Sequence, residues 1–186
     1  MQPIVLFHSA LGCGAGVHAF ADRLRTGGRA VLTPDLFDGE TFEELAAGVK
    51  KRDALGIPEL MRRAMLAVAD VPPGCIYAGF SMGAAAAQFL AQTRPGARAA
   101  VLMHGALPLE AMGAPWPDGT PLQIHFAESD PWVDAVVVDR LAHDARAEVH
   151  RYPGSAHLFT DRTSPEYDEP SAELVLARIG ELLGRC

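Results

Sequence analysis

Cys75-Ile76-Tyr77-Ala78-Gly79-Phe80-Ser81-Met82-Gly83-Ala84-Ala85-Ala86-Ala87 is the stretch on which the reading of this chain turns. Its first four residues have strand character, and Met82 to Gln92 reads as a helix. The pattern Gly-x-Ser-x-Gly between them predicts a sharp, strained turn that needs small residues on either side and lifts the serine hydroxyl clear of the sheet edge. A serine held that way is a candidate nucleophile. The plain alternative is a glycine-flanked turn whose serine caps the next helix. The small side chains of Ala84 to Ala87 predict a helix that packs close to a sheet.

Toward the N-terminus, Ile4-Val5-Leu6-Phe7 is an unbroken apolar run, the signature of a strand buried on both faces. A glycine-rich loop, residues 8–16, follows it. Val17, Phe20, Ala21 and Leu24 then form a helical stripe closed by Gly27-Gly28, and Ala30-Val31-Leu32 returns as a strand. A loop through Thr33-Pro34-Asp35 leads to two helices. The first starts near Thr41, where Thr41 and Glu44 have capping-box spacing, and the second spans Glu59 to Ala69.

Toward the C-terminus, Ala99 to Met103 and Leu122 to Ala127 read as strands, separated by a Pro- and Gly-rich loop with Trp116. Asp130-Pro131-Trp132 reads as the opening of a helix that ends near His143, Asp at N-cap and Pro at the first helical position being a common start. Ala147 to Tyr152 alternates as a strand near an edge, and Ser171 to Leu183 forms a last helix. Strands alternating with helices at this spacing predict an α/β fold: a doubly wound, mainly parallel six-stranded sheet with helices on both faces. Ligands of such sheets bind at the carboxyl ends of the strands.

The chain has 186 residues, 49% hydrophobic and 21% charged, which suits one domain, residues 1–186, with a substantial core. Its formal charge of -7, without a basic run, argues against nucleic acid as a partner. Cys13, Cys75 and Cys186 lie far apart with no metal-ligand or disulfide spacing, which fits a reducing compartment and no metal. The first apolar run is far too short for a signal segment or membrane span, so a cytoplasmic location without membrane association is expected.

A serine hydroxyl needs a base, usually a histidine oriented by a carboxylate. Ser81 after the third strand, Asp130 after the fifth and His157 after the sixth supply these groups in an order that separate strand ends can bring together. Glu128 and Asp134 are alternative carboxylates. Acyl transfer also needs oxyanion donors: the backbone N–H of Met82 and one from Ala10 or Leu11. A rival reading takes Gly14-Ala15-Gly16-Val17-His18-Ala19 as a loose GxGxxA with Asp35 on a ribose, as in dinucleotide binding. A third takes the fold as a binding protein without catalysis.

The elbow, Pro34-Asp35-Leu36-Phe37-Asp38-Gly39, and Tyr152 through Phe159 with Tyr167-Asp168 and the final helix resemble the dienelactone hydrolase family of α/β-hydrolases over nearly the whole chain. The resemblance implies hydrolysis of an ester or lactone without a cofactor, by Ser81, Asp130 and His157. The family's founding enzymes carry a cysteine where this chain has Ser81, and a first-loop glutamate whose position falls near Ser9, where this chain has none. The two changes are mutually consistent, because a serine with a histidine base needs no such glutamate. The family arginine that binds a substrate carboxylate falls at Asp161, with Arg162 adjacent as a substitute. Leu11, Cys13, Met82, Trp116, Trp132 and Leu158 are the expected apolar pocket walls. The chain leaves little room for a cap domain, so an open pocket, a small substrate and a monomer or homodimer are expected.

Overall fold

The computed structural model describes residues 1–186, the side chain of Thr26 aside. Six strands form one sheet: β1 (Ile4–Phe7), β2 (Val31–Leu32), β3 (Ile76–Phe80), β4 (Ala99–Met103), β5 (Leu122–Ala127) and β6 (Glu148–Tyr152). Their order is β2-β1-β3-β4-β5-β6, and every neighbouring pair is parallel. The helices are α1 (Ala15–Leu24), α2 (Leu45–Leu55), α3 (Ile57–Ala67), α4 (Met82–Thr93), α5 (Ala135–Ala145) and α6 (Glu169–Arg185). None of them is long and apolar enough to cross a membrane.

The period-2 alternation of strand side chains divides the core into two layers. On β1, Val5 and Phe7 join Leu60, Ala64 and the buried alanines of α4 on one face, with Val138 and Leu141 of α5. Ile4 and Leu6 point the other way and meet Val17, Phe20 and Leu24 of α1 and Val175, Ile179 and Leu182 of α6. Because both faces are covered, β1, β3 and β4 are buried at every position, which is why they read as continuous apolar runs.

Two helix starts differ from the sequence expectation. Thr41 does not cap α2: the Phe42 amide is drawn to the Leu11 carbonyl at 2.9 Å, holding this segment against the first loop. The helix starts at Leu45 after an extended Glu44 with no side-chain cap. Asp130 does not open α5 either. That helix begins at Ala135, and Asp134 caps it by accepting from the Val136 and Val137 amides. This shift leaves the Asp130 carboxylate available for other work.

The order of strands reverses between β1 and β3, so chain leaves these neighbours in opposite directions and opens a crevice at their carboxyl ends. Ser81 stands at that crevice.

Candidate active site

The elbow is built by close approach. A Cβ on Gly79 would lie 2.1 Å from the Gly83 carbonyl oxygen, and one on Gly83 would lie 2.4 Å and 2.5 Å from the carbonyl oxygens of Phe7 and His8. Only glycine at both positions lets α4 sit this near β1. Between them Ser81 has φ 52° and ψ -111°, a conformation L-residues rarely adopt, maintained by its amide donating to Met103 at 2.7 Å. The strain is paired with position: Ser81 is half-buried at the mouth of a pocket, directly before the N-terminus of a 12-residue helix.

Around this serine the chain ends of β5 and β6 converge. Ser81 Oγ is 2.8 Å from His157 Nε2, and His157 Nδ1 is 2.7 Å from Asp130 Oδ2. Both partners are buried, His157 at 2% and Asp130 at 5% exposure. A carboxylate only accepts, so Nδ1 carries the proton and the Nε2 lone pair faces the serine hydroxyl. Asp130 Oδ1 accepts from the Trp132 amide at 2.9 Å, which fixes the carboxylate plane. The Trp132 ring lies over His157, centroids 5.7 Å apart. Of the alternative carboxylates, Glu128 is exposed and Asp134 is spent on its helix cap.

The first loop is held from three sides. His8 donates from Nδ1 to the Ser9 carbonyl at 2.6 Å and accepts the Leu36 amide at Nε2, 2.9 Å, which defines a neutral tautomer. Burial pushes its pKa down, in keeping with that state, against smaller opposing effects of the Ser9 carbonyl and Asp35. Gly48 of α2 abuts the Ala10 carbonyl so closely that a Cβ there would lie 1.8 Å from its oxygen. The Phe42–Leu11 bond is the third tie. The Leu11 amide donates to Ser9 Oγ at 3.1 Å, so of the two candidate donors Leu11 already has a partner.

A pocket of about 170 Å³ opens onto Ser81 and His157. Met82 and Trp132 line it. The other walls are Arg52 from the end of α2, Ile57 and Met61 from α3, Ala85 from α4, and His104 to Leu107 after β4. Cys13, Trp116, Leu158 and Arg162 do not line it. Cys13 is half-buried with its thiol directed to the Thr33 carbonyl at 3.5 Å. Trp116 is a core residue whose Nε1–H donates to Thr120 at 2.7 Å, and Leu158 is buried. Arg162 faces a separate small hollow between α1 and α6, because Asp161 turns the chain there through Thr163. Leu11 lines another hollow of about 620 Å³, with Thr41 and Asp161.

That larger hollow adjoins the start of α1, where the rival reading would place a pyrophosphate. The Asp161 carboxylate packs there against Gly16, and Glu43 adds a second negative charge. Asp35 is committed to a turn, accepting the Phe37 amide at 2.8 Å and the Gly39 amide. An anionic dinucleotide meets carboxylates where it needs donors. Among the described residues no cluster of three or more His, Cys, Asp or Glu could hold a metal ion.

His104 is the residue near the site that sequence reasoning passed over. It directly follows β4 with φ 61°, is 1% exposed, and packs its ring 6.0 Å from that of His157 and 4.7 Å from that of Phe159. Its Nε2 pairs with Thr160 Oγ1 at 2.6 Å, and among the described residues Nδ1 has no partner. Burial, reinforced by the neighbouring His157 and His125, holds its pKa well below the ordinary value, so the ring stays neutral behind the Ser81–His157 pair. Its place at the carboxyl end of a central strand was the available signal. For Arg52, Ile57 and Met61 the signal was the second helix between β2 and β3, since a parallel crossover needs only one.

The dienelactone hydrolase family model matches residues 1–186. The chain belongs to the dienelactone hydrolase family. Among solved structures, a dienelactone hydrolase-like promiscuous phosphotriesterase from metagenomic libraries superposes with a TM-score of 0.83 at 22% identity, covering 100% of this chain and 86% of that one. A hydrolase of the α/β superfamily from Xanthomonas campestris pv. campestris gives 0.71 at 21% identity, with 100% of both chains covered. A thermophilic esterase from Thermogutta terrifontis, solved with propionate bound, gives 0.70 at 16% identity, covering 99% of this chain and 83% of that one. No curated protein matches the sequence. At these identities the structural likenesses speak to the fold, an α/β-hydrolase fold, and the family assignment makes this member of it a hydrolase.

Proposed function

We propose that this family member hydrolyses carboxylic esters or lactones with Ser81 as nucleophile, through an acyl-enzyme. The observation that carries the reading is the continuous chain from Ser81 Oγ through His157 to a buried Asp130 that no helix cap engages.

His157 Nε2 takes the serine proton as Oγ attacks the carbonyl carbon. The negative charge that develops on the carbonyl oxygen is met by the Met82 amide at the start of α4 and by the Ala10 amide, Leu11 being already bonded to Ser9. Collapse of the intermediate breaks the ester bond, and His157 passes its proton to the departing alkoxide. Water, deprotonated by the same histidine, then releases the acid and restores Ser81. A serine with a histidine base needs no glutamate in the first loop, which agrees with Ser9 serving there as a backbone anchor. No cofactor takes part in this scheme.

The direct test is labelling with a fluorophosphonate probe and with paraoxon. The Thermogutta terrifontis esterase has been captured phosphorylated by paraoxon, and the same adduct is expected on Ser81. Labelling should be stoichiometric in the wild type and lost in Ser81→Ala together with p-nitrophenyl acetate turnover. Turnover retained by Ser81→Ala, or an unreactive wild type, refutes the assignment; the latter result would mark a hydrolase fold used for binding.

A further inference from the structure

A second apolar hollow neighbours the pocket at Ser81: Leu107 lines the first and the next residue of the chain, Pro108, lines the second. β4 and β5 are paired neighbours, so the segments leaving their carboxyl ends run side by side. The first pocket, about 170 Å³, uses Leu107 on one segment and Trp132 on the other. The second, about 120 Å³, is lined by Pro108 and Leu109, which follow directly on the first segment, and by Val136, Val137 and Leu141, which lie further along the second. Trp132 is 53% exposed at the pocket of Ser81 and Val136 76% exposed at the second hollow, so each hollow has an uncovered apolar wall. The far end is closed by Arg140, whose charge is met by Glu110 and by Asp144 at 3.8 Å. With that charge matched, and Arg52 of the first pocket paired with Asp53 at 2.8 Å, the two hollows suit a hydrocarbon chain better than an anion.

We propose that the two hollows join into one trough, a substrate subsite for an uncharged, unbranched hydrocarbon arm on the ester cleaved at Ser81. The inference rests on the hydrolase reading above. A cavity of about 150 Å³ takes benzene, so by that measure the two hollows together take an arm of about ten carbons. The small substrate expected from chain length alone corresponds to filling only the first. Both segments are parts of the hydrolase scaffold itself, so the arm is accommodated without a separate cap.

The test uses two ester series on the full-length protein, acyl chains from acetate to dodecanoate on p-nitrophenol, and alkyl acetates from methyl to decyl. In one of the two, kcat/KM should rise about two- to fourfold per methylene up to about ten carbons and then level off. Which series rises tells whether the acyl or the alcohol side occupies the trough. Val136→Asp places a carboxylate in the trough and, lying in the first turn of α5, suits the helix. It should lower the ratio of long- to short-chain kcat/KM at least tenfold, whereas Leu174→Asp on α6 should leave that ratio unchanged. Flat profiles in both series, or a Val136→Asp profile like that of wild type, overturn the subsite. If no ester is hydrolysed, methyl octanoate binding is read from the change in tryptophan fluorescence, Trp132 being the indole that lines the pocket while Trp116 is buried in the core. Binding lost in Val136→Asp keeps the subsite although the hydrolase reading fails, and absence of binding removes both.

Discussion

Replacing Asp130 by Asn tests the candidate triad with almost no change in shape. In the native site Oδ2 receives the His157 Nδ1–H at 2.7 Å while Oδ1 receives the Trp132 amide at 2.9 Å. The Trp132 amide can only donate, so in Asp130→Asn it selects the orientation with the amide oxygen on its side. The new NH₂ then faces His157 Nδ1, which must accept. This forces the imidazole proton onto Nε2, where it points at Ser81 Oγ and leaves no lone pair to take the serine proton. The same inversion in a serine protease lowers kcat about ten-thousand-fold, or ~5 kcal/mol of transition-state stabilisation. A loss of that order is expected in p-nitrophenyl acetate hydrolysis. KM should change little, because Asp130 does not line the pocket. Thermal unfolding should stay close to wild type, since the hydrogen bond count is preserved. A kcat within tenfold of wild type would show that Asp130 does not set the tautomer and would refute the mechanism.

Asp134→Ala, four residues away, makes the contrasting case: loss of its cap should cost about 1 kcal/mol in urea unfolding while kcat stays near wild type. Gly83→Ala forces a methyl against the Phe7 and His8 carbonyls, and is expected to destabilise by about 1–3 kcal/mol or more and to shift the first loop, visible as a fall in both urea midpoint and kcat/KM. His8, His104 and His125 all have pKa values depressed chiefly by burial, so the unfolded chain binds their protons more readily. Their contribution to stability is complete above the unfolded value near 6.5 and is lost as pH falls below it. The urea midpoint should therefore hold from pH 8 to 7 and decline between pH 6.5 and 5; a flat profile across that interval would contradict the buried neutral rings.

The sequence by itself determined what depends on local pattern. The apolar runs Ile4–Phe7 and Ala99–Met103 declare buried strands because parallel strands must be covered on both faces. Gly79 and Gly83 declare the elbow because no larger residue permits its packing. The order Ser81, Asp130, His157 was legible because each follows a strand, and all strands here end on the same side. Tertiary structure decided the rest. Asp130-Pro131 has the local signature of a helix start, yet Asp134 takes that role, since the pull of buried His157 on Asp130 is a contact between residues 27 apart in the chain. Arg52, Ile57 and Met61 become pocket walls through the way α2 and α3 fold back over the crevice, which helical periodicity does not specify. Trp116 and Leu158 are apolar loop residues just as Trp132 is, but two are buried and one faces the pocket. Local physics sets which residues want burial, whereas only long-range packing settles whether the neighbour that buries them is the core or a substrate.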